Sequence, residues 1–336
     1  MDISEADLRA AGLGDRFESI DRAVADHLDG TISNVAVIAE PFAGRDVLVE
    51  YADDAFGAAS ARVELDTVVG DLSEIEFPNT EVIVVDGCQY LYTREIGGYD
   101  VLDAFLAEIV ERDELFVTAW SRYAWDYLAA IRDIEYAFPV QVRVPSLDAS
   151  AITELLVSHY GPGLPEFVQT GDAGRVKSVG FDRHTVGLPG DRSVSVPVPS
   201  LNVEYITSRS NADRYGDVEA VVFEKLTYLS DGNPGVAGTL WERSVRDGEI
   251  APAYVEEFDR TLDIDDDEAF LLELILAKES VAVDTLEEVL VNVPVQRSLG
   301  TLTQQGAVAV EDGTVSIRPE RLNATVDHLR GRQLIW

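Results

Sequence analysis

An α/β chain built on a parallel five-stranded sheet with helices on both faces is what the sequence predicts, and three observations predict it. Five β-rich runs, NVAVI from Asn34 to Ile38, ARVELD at 61–66, EVIVVD at 81–86, ELFVTAW at 114–120 and VQVRVP at 140–145, alternate with helical or loop stretches. VIVV and LFV are apolar throughout rather than alternating, as strands covered on both faces require. Hydrophobic residues make up 46% of the 336, enough for real cores in the two or three domains that this length implies.

Taken in order, the first 29 residues place Leu8, Phe17, Ile20, Val24 and Leu28 at near-helical spacing, with Asp2 and Ser4 as candidate caps. One or two amphipathic helices therefore open the chain. The first strand leads into a turn-like segment, Glu40 to Asp46, and a helix from Val47. A core over 1–160 holds all five strands. Between 161 and 215 Gly and Pro become frequent, and SVSVPVP at 193–199 alternates up to a proline stop, which predicts an irregular or β-hairpin insertion. Helical patterning returns at Val218 to Leu229. GNPGVAGTLWERSV at 232–245 reads as a tight turn launching a second helix, so 216–262 is expected to be a small helical lid. AFLLELILAKES, TLEEVLV and PVQRSLGTLTQQG, followed by AVAVEDGTVSIRP, predict three short helices and a hairpin, a winged-helix pattern over 263–336. Asp312 and Gly313 supply the hairpin turn, and Gly306 sits where the third helix must stop.

The charge is lopsided: 62 acidic against 26 basic residues, a net −36 spread along the whole chain. Only three of the basic residues are lysine, Lys177, Lys225 and Lys278. Distributed carboxylates with scarce lysine fit a protein working in molar salt, where the Debye length shrinks to about 3 Å and self-repulsion is screened. The expected setting is the cytoplasm of an extreme halophile. Composition excludes a disordered chain, and the single Cys88 excludes a disulfide scaffold. No apolar stretch of about 18 residues appears, and MDISEADLRAAG lacks the basic, then apolar, pattern of a leader, so no membrane span is expected. In concentrated salt counterion release contributes little, and the lack of a basic patch does not exclude nucleic acid.

Ala39, Glu40, Pro41, Phe42, Ala43, Gly44, Arg45 and Asp46 sit after a strand and before a helix, and resemble a worn copy of the GEPGTGKT phosphate loop of AAA+ ATPases. Glu40, Pro41 and Gly44 match. Arg45 stands where the family has Lys, and Asp46 where it has Ser or Thr. In such loops backbone N–H groups cradle the phosphates, Lys reaches the β and γ phosphates and the hydroxyl ligates Mg²⁺. Arg45 keeps the charge in a bulkier, planar form. Asp46 brings a carboxylate toward polyphosphate, tolerable with a cation between them. Ala39 and Phe42 replace glycines, against a close backbone approach. The loop reads either as a relic of the fold or as a site still holding ATP or ADP with Mg.

EVIVVDGCQYL at 81–91 resembles the Walker B strand, with Asp86 as the Mg²⁺ ligand; the next position, acidic in ATP-hydrolysing members, is Gly87. LFVTAWSRYAWDYL at 115–128 resembles the sensor strand and following helix, with Thr118 or Ser121 in the polar position and Trp120, Trp125 and Tyr127 as packing residues. GNPGVAGTLW resembles the lid-helix start of origin-recognition and signal-transduction AAA+ proteins, where a basic residue often follows the turn; here it is Gly235, with Arg243 two turns on. The resemblance covers roughly 30–160 and 216–330. Departures at 45, 46, 87 and 235 argue against efficient hydrolysis.

On the would-be recognition helix, periodicity buries Val295, Leu299 and Leu302 and turns Gln296, Arg297, Thr301, Gln304 and Gln305 outward. Such residues read base edges, and Arg318 in the wing, with Arg330 and Arg332, could meet phosphates. Winged helices of AAA+ relatives also pack on the ATPase core or on partner proteins, so a protein partner and duplex DNA both stay open. The four histidines show no metal-site spacing, Cys88 reads as a small buried filler, and Asp265 to Glu268 reads as a solvated helix start. The resemblance implies a regulatory or scaffolding module with a degenerate nucleotide site. The alternatives are a slow signal-transduction-type ATPase, with Glu40 or another subunit supplying the water-activating acid, and a winged-helix transcriptional regulator.

Overall fold

The apolar runs become five parallel strands: β1 (Val35–Ala39), β2 (Ser60–Glu64), β3 (Val82–Asp86), β4 (Leu115–Ser121) and β5 (Val140–Arg143), in the order β2-β3-β4-β1-β5. The structure is a computed structural model that describes residues 1–31, 33–169, 179–188, 192–201, 218–290 and 293–335. Every residue of β1 and β4 is buried, because helices cover both faces. The helices of this layer are α1 (Glu5–Ala10), α2 (Gly14–Leu28), α3 (Arg45–Phe56), α4 (Asp100–Glu111), α5 (Arg122–Arg132) and α6 (Ala149–Tyr160). Val35, Val37 and Ala39 pack in one core with Phe17, Ile20 and Leu48, whereas Ala36 and Ile38 pack in the other with Phe105, Ile109 and Leu128. Alternation along one strand thus feeds two cores. Trp120, Trp125 and Phe138 interlock in the second, with ring centroids 5.6 to 5.8 Å apart, and the two tryptophans pack as expected.

Register gathers the strand ends that matter. Ala39 pairs with Ser121, and Glu64 with Asp86, so residues 40, 87 and 122 leave the sheet from the same carboxyl edge, where ligands of open α/β sheets bind. The third helix begins at Arg45, two residues before the expected Val47, because Gly44 already caps it.

Short β6 (Glu166–Phe167) leads to a hairpin of β7 (Val179–Leu188) with β8 (Arg192–Leu201), antiparallel throughout. Within the expected insertion, residues 170–178, 189–191 and 202–215 lie outside the described residues. Beyond it stand α7 (Val218–Ser230), α8 (Pro234–Ser244) and β9 (Glu249–Ile250), which pairs with β6. Asn233 caps α8 through the Val236 N–H, with Pro234 at the first helical position.

The last segment runs α9 (Asp266–Lys278), β10 (Ser280–Ala282), α10 (Val283–Val289), α11 (Val295–Gln304), β11 (Val308–Glu311), β12 (Thr314–Ile317) and α12 (Leu322–Gly331). Its antiparallel sheet has the order β10-β12-β11. β10 and α12 are additions to the three helices and hairpin expected. Asp312 and Gly313, at φ 48° and 80°, make the hairpin turn, and Gly306 at φ 70° follows the end of α11. Asp265 and Glu268 form a reciprocal capping box at the start of α9. Among the described residues no helix is long and apolar enough to cross a membrane.

Candidate functional site

The loop that follows β1 is held from both sides. Phe42 and Gly44 take the left-handed backbone, at φ 67° and 83°. For Phe42 this costs about 1 to 3 kcal/mol and persists because neighbours fix it. Its carbonyl accepts the Gly235 N–H at 3.0 Å, and the Pro41 carbonyl accepts Asn233 Nδ2 at 2.9 Å. A Cβ on Gly235 would lie 2.4 Å from the Phe42 oxygen, so the position where the resemblance led us to expect a basic residue accepts no side chain. From the opposite side, Leu8 methyls lie 3.3 Å from where a Gly44 Cβ would stand.

Arg45 opens α3 and points into the molecule. Its two terminal nitrogens donate to the two Glu279 carboxylate oxygens at 2.5 and 2.8 Å, a bidentate pair. Both side chains are largely covered, 15% and 20% exposed. Arg45 Nε lies 4.0 Å from Asp86, which also accepts from Arg62 at 2.8 Å, and Arg62 reaches Glu64 at 2.9 Å. Charges therefore alternate from Glu279 through Arg45, Asp86 and Arg62 to Glu64. Burial opposes the Arg45 charge, but Glu279, Asp86 and Asp46 outweigh it and raise the guanidinium above its ordinary pKa.

Glu279 arrives from the C-terminal segment, at the end of α9, in the positive-φ backbone (φ 67°). Around it Lys278 Nζ donates to the carbonyls of Gln89 and Tyr92 and lies 3.9 Å from the Tyr92 ring centroid. Tyr90 OH donates to the Ser280 carbonyl, and Arg94 pairs with the fully buried Glu273 at 2.7 Å. Burial pushes Glu273 up to about 7, against Arg94 and Lys278. These contacts seat the C-terminal segment directly on the stretch 89–94 that follows β3.

The remaining motif positions are accounted for one by one. Glu40 accepts from Arg122 at 2.8 Å and Tyr123 at 3.1 Å, so its carboxylate is engaged within the loop's own surroundings. Asp46 is exposed in the first turn of α3, where a carboxylate suits the helix dipole. Thr118 is paired with Ala36, inside the sheet; it donates to the Val35 carbonyl and accepts from Trp120 Nε1. Of the two sensor candidates, Ser121 is the one at the strand edge, its Oγ buried and without a hydrogen bond to a described residue. Gly87 has φ 80°, and a Cβ there would stand 2.0 Å from the Leu65 carbonyl oxygen. Cys88 is fully buried, and burial raises its thiol pKa.

A magnesium nucleotide does not fit these residues as they stand. The Arg45 fork is taken by Glu279. Asp86 Oδ2 is taken by Arg62 and its Oδ1 faces Arg45 Nε at 4.0 Å, so two guanidinium charges compete with a divalent cation there. Two cavities of about 20 Å³, each roughly one water in size, lie elsewhere, one beside Thr93, Lys278 and Val281 and the other beside Phe258 and Glu320.

In the C-terminal segment Val295, Leu299 and Leu302 are buried, whereas Gln296, Arg297 and Gln304 are exposed and Thr301 is half-buried. Gln296 donates to Glu287 at 2.8 Å. Gln305, expected outward, is folded onto the backbone of Asp263. Arg318 is half-buried with Nε on the Val308 carbonyl at 3.2 Å, and Arg332 pairs with Asp266. Arg243 pairs with Glu320 rather than reaching the loop.

Sequence reasoning missed Glu279, Arg62, Arg94 and Glu273. One signal was present: Lys278 is among three lysines in an arginine-rich chain, and its amine sits at a buried position where it donates to two carbonyls.

The chain is similar in structure to the RuvB Holliday junction branch migration motor of Thermotoga maritima, at 12% identity and TM-score 0.44, covering 94% of each chain. It is also similar to Cdc6p from Pyrobaculum aerophilum, at 11% identity and TM-score 0.42, covering 96% of this chain and 94% of that one. The Walker-type ATPase of Pyrococcus abyssi is a third, at 12% identity and TM-score 0.41, with 93% and 95% covered. No family model and no curated protein matches the sequence.

Proposed function

We propose that this chain is a degenerate AAA+-like regulatory or scaffolding module that works without turning over nucleotide, in the cytoplasm of an extreme halophile. Its lid is the pair α7 and α8, and its C-terminal segment is a winged helix that meets a protein partner. The observation that carries the reading is the bidentate Arg45–Glu279 pair, which gives the phosphate-loop cation to a carboxylate of the same chain. The paired Glu40 and the side-chain-free Gly87 count against the slow-ATPase alternative, since neither offers a free acid to activate water.

A protein partner is favoured over duplex DNA by the winged-helix surface itself. Glu311 and Asp312 are exposed at the hairpin tip, Arg318 is turned inward, and Glu287 borders Gln296. Carboxylates at those places oppose phosphates, leaving Gln296, Arg297, Thr301 and Gln304 to a polypeptide surface.

The test is calorimetric titration of ATP and ADP, with Mg²⁺, in about 2 to 3 M KCl, the screened regime that the net charge suits. No heat from a sample shown to be folded by circular dichroism is the expected result. Heat that disappears in Arg45→Ala would overturn the reading and make turnover the next question.

A further inference from the structure

The disagreement between the motif and a bound nucleotide extends beyond a missing residue. Arg45 has one fork, and a carboxylate occupies it with both oxygens. That carboxylate is a residue of the C-terminal segment, held at φ 67°, a backbone that a glutamate adopts at a cost. The adjoining residues, Lys278 and Ser280, make the hydrogen bonds to Gln89, Tyr92 and Tyr90 that seat the segment on the core. The anion at Arg45 and the attachment of the C-terminal segment are therefore parts of one contact.

We propose that Glu279 is a tethered anion: it occupies the phosphate loop in place of a free oxyanion of the pyrophosphate class, so anion binding at Arg45 and docking of the C-terminal segment exclude one another. This rests on the reading of the loop as sealed in the resting protein. The two states share one guanidinium and cannot both hold it bidentately. Linkage then requires reciprocity: whatever loosens the segment raises anion affinity at the loop, and an anion bound there loosens the segment by the same factor.

The experiment uses the full chain in about 2 to 3 M KCl, with inorganic pyrophosphate as probe and two readouts, calorimetric affinity and hydrogen exchange over 278–290. Two variants are compared with the unaltered chain. Glu279→Gln removes the tethered charge, whereas Tyr90→Phe removes the hydrogen bond to Ser280 and leaves both Arg45 and Glu279 in place. Both are expected to speed exchange over 278–290 and to bind pyrophosphate at least about tenfold more tightly, with the gain lost when Arg45→Ala is added.

Tyr90→Phe keeps the test decisive if Glu279→Gln fails to fold. Faster exchange without the gain in affinity, a gain that survives Arg45→Ala, or no change in either readout would each overturn the proposal. The sealed-loop reading fails separately, on nucleotide binding by the unaltered chain. If such binding left exchange over 278–290 unchanged, the exclusion would fail with it.

Discussion

The carbonyl oxygen of Leu65 stands 2.0 Å from where the first side-chain carbon of residue 87 would have to go. Gly87 is thus required by the backbone of the neighbouring connection, and its φ of 80° adds a second reason. Introducing an acid next to Asp86 by Gly87→Glu is expected to destabilise by about 3 kcal/mol or more and to confer no hydrolysis. Urea unfolding and a phosphate-release assay check the two halves. A folded, stable Gly87→Glu would show that the Leu65 carbonyl can move aside.

Removing one partner of the Arg45–Glu279 pair leaves a covered charge behind. Full burial makes such truncations cost about 3 to 5 kcal/mol; with 15% and 20% exposure here, about 2 to 4 kcal/mol is expected for Arg45→Ala. A double-mutant cycle with Glu279→Ala should return a coupling of about 1 to 3 kcal/mol. Additive effects of the two substitutions would mean that the pair contributes nothing beyond its separate packing.

Asp7 supplies an acid-sensitive clasp. Its carboxylate is buried, which by itself raises the pKa, yet hydrogen bonds from His159, at 2.9 Å, and from Ser4 prevail and hold it below its ordinary value of 3.8. The folded pKa lies below the unfolded one, so the contribution is complete above the unfolded value and is lost as pH falls through the folded one. The attachment of α1 to α6 should therefore weaken below pH 3.8, and Asp7→Asn should flatten that part of the stability profile. An unchanged acid limb in Asp7→Asn would assign the loss to other carboxylates.

The exposed residues of α11 can be altered without touching its core. Changing Gln296, Arg297 and Gln304 together to Ala should leave stability within about 0.5 kcal/mol, because their neighbours Val295, Leu299 and Leu302 do the packing. The same triple variant should leave duplex-DNA retention in molar KCl no weaker than that of the unaltered chain. A clear fall in retention would establish that the helix reads bases.

The strands were legible because two-sided burial writes itself as uninterrupted apolar runs: Val82 to Val85 is such a run and is buried along its length. The loop between β1 and α3 was legible too, since a turn between a buried strand and a helix needs few residues to declare itself. The motif left Thr118 and Ser121 open for the polar position; pairing with Ala36 sets Thr118 inside β4, and Ser121 stands at the strand's end. Glu279 was illegible for a different reason. It lies 234 positions from Arg45, and no periodicity or spacing rule connects a helix end to a loop at that separation. Its own conformation, positive φ without glycine, leaves no trace in composition.

That separation also sets an order of events on the ribosome. Chains lengthen at about 5 to 20 residues per second, so Arg45 precedes its partner by roughly ten seconds to most of a minute. Through that interval the sheet can form while the guanidinium at its edge has no Glu279 to meet. A nascent protein therefore passes through a stage in which Asp86 and Asp46 are the carboxylates at hand for Arg45, until residue 279, in the last fifth of the chain, emerges.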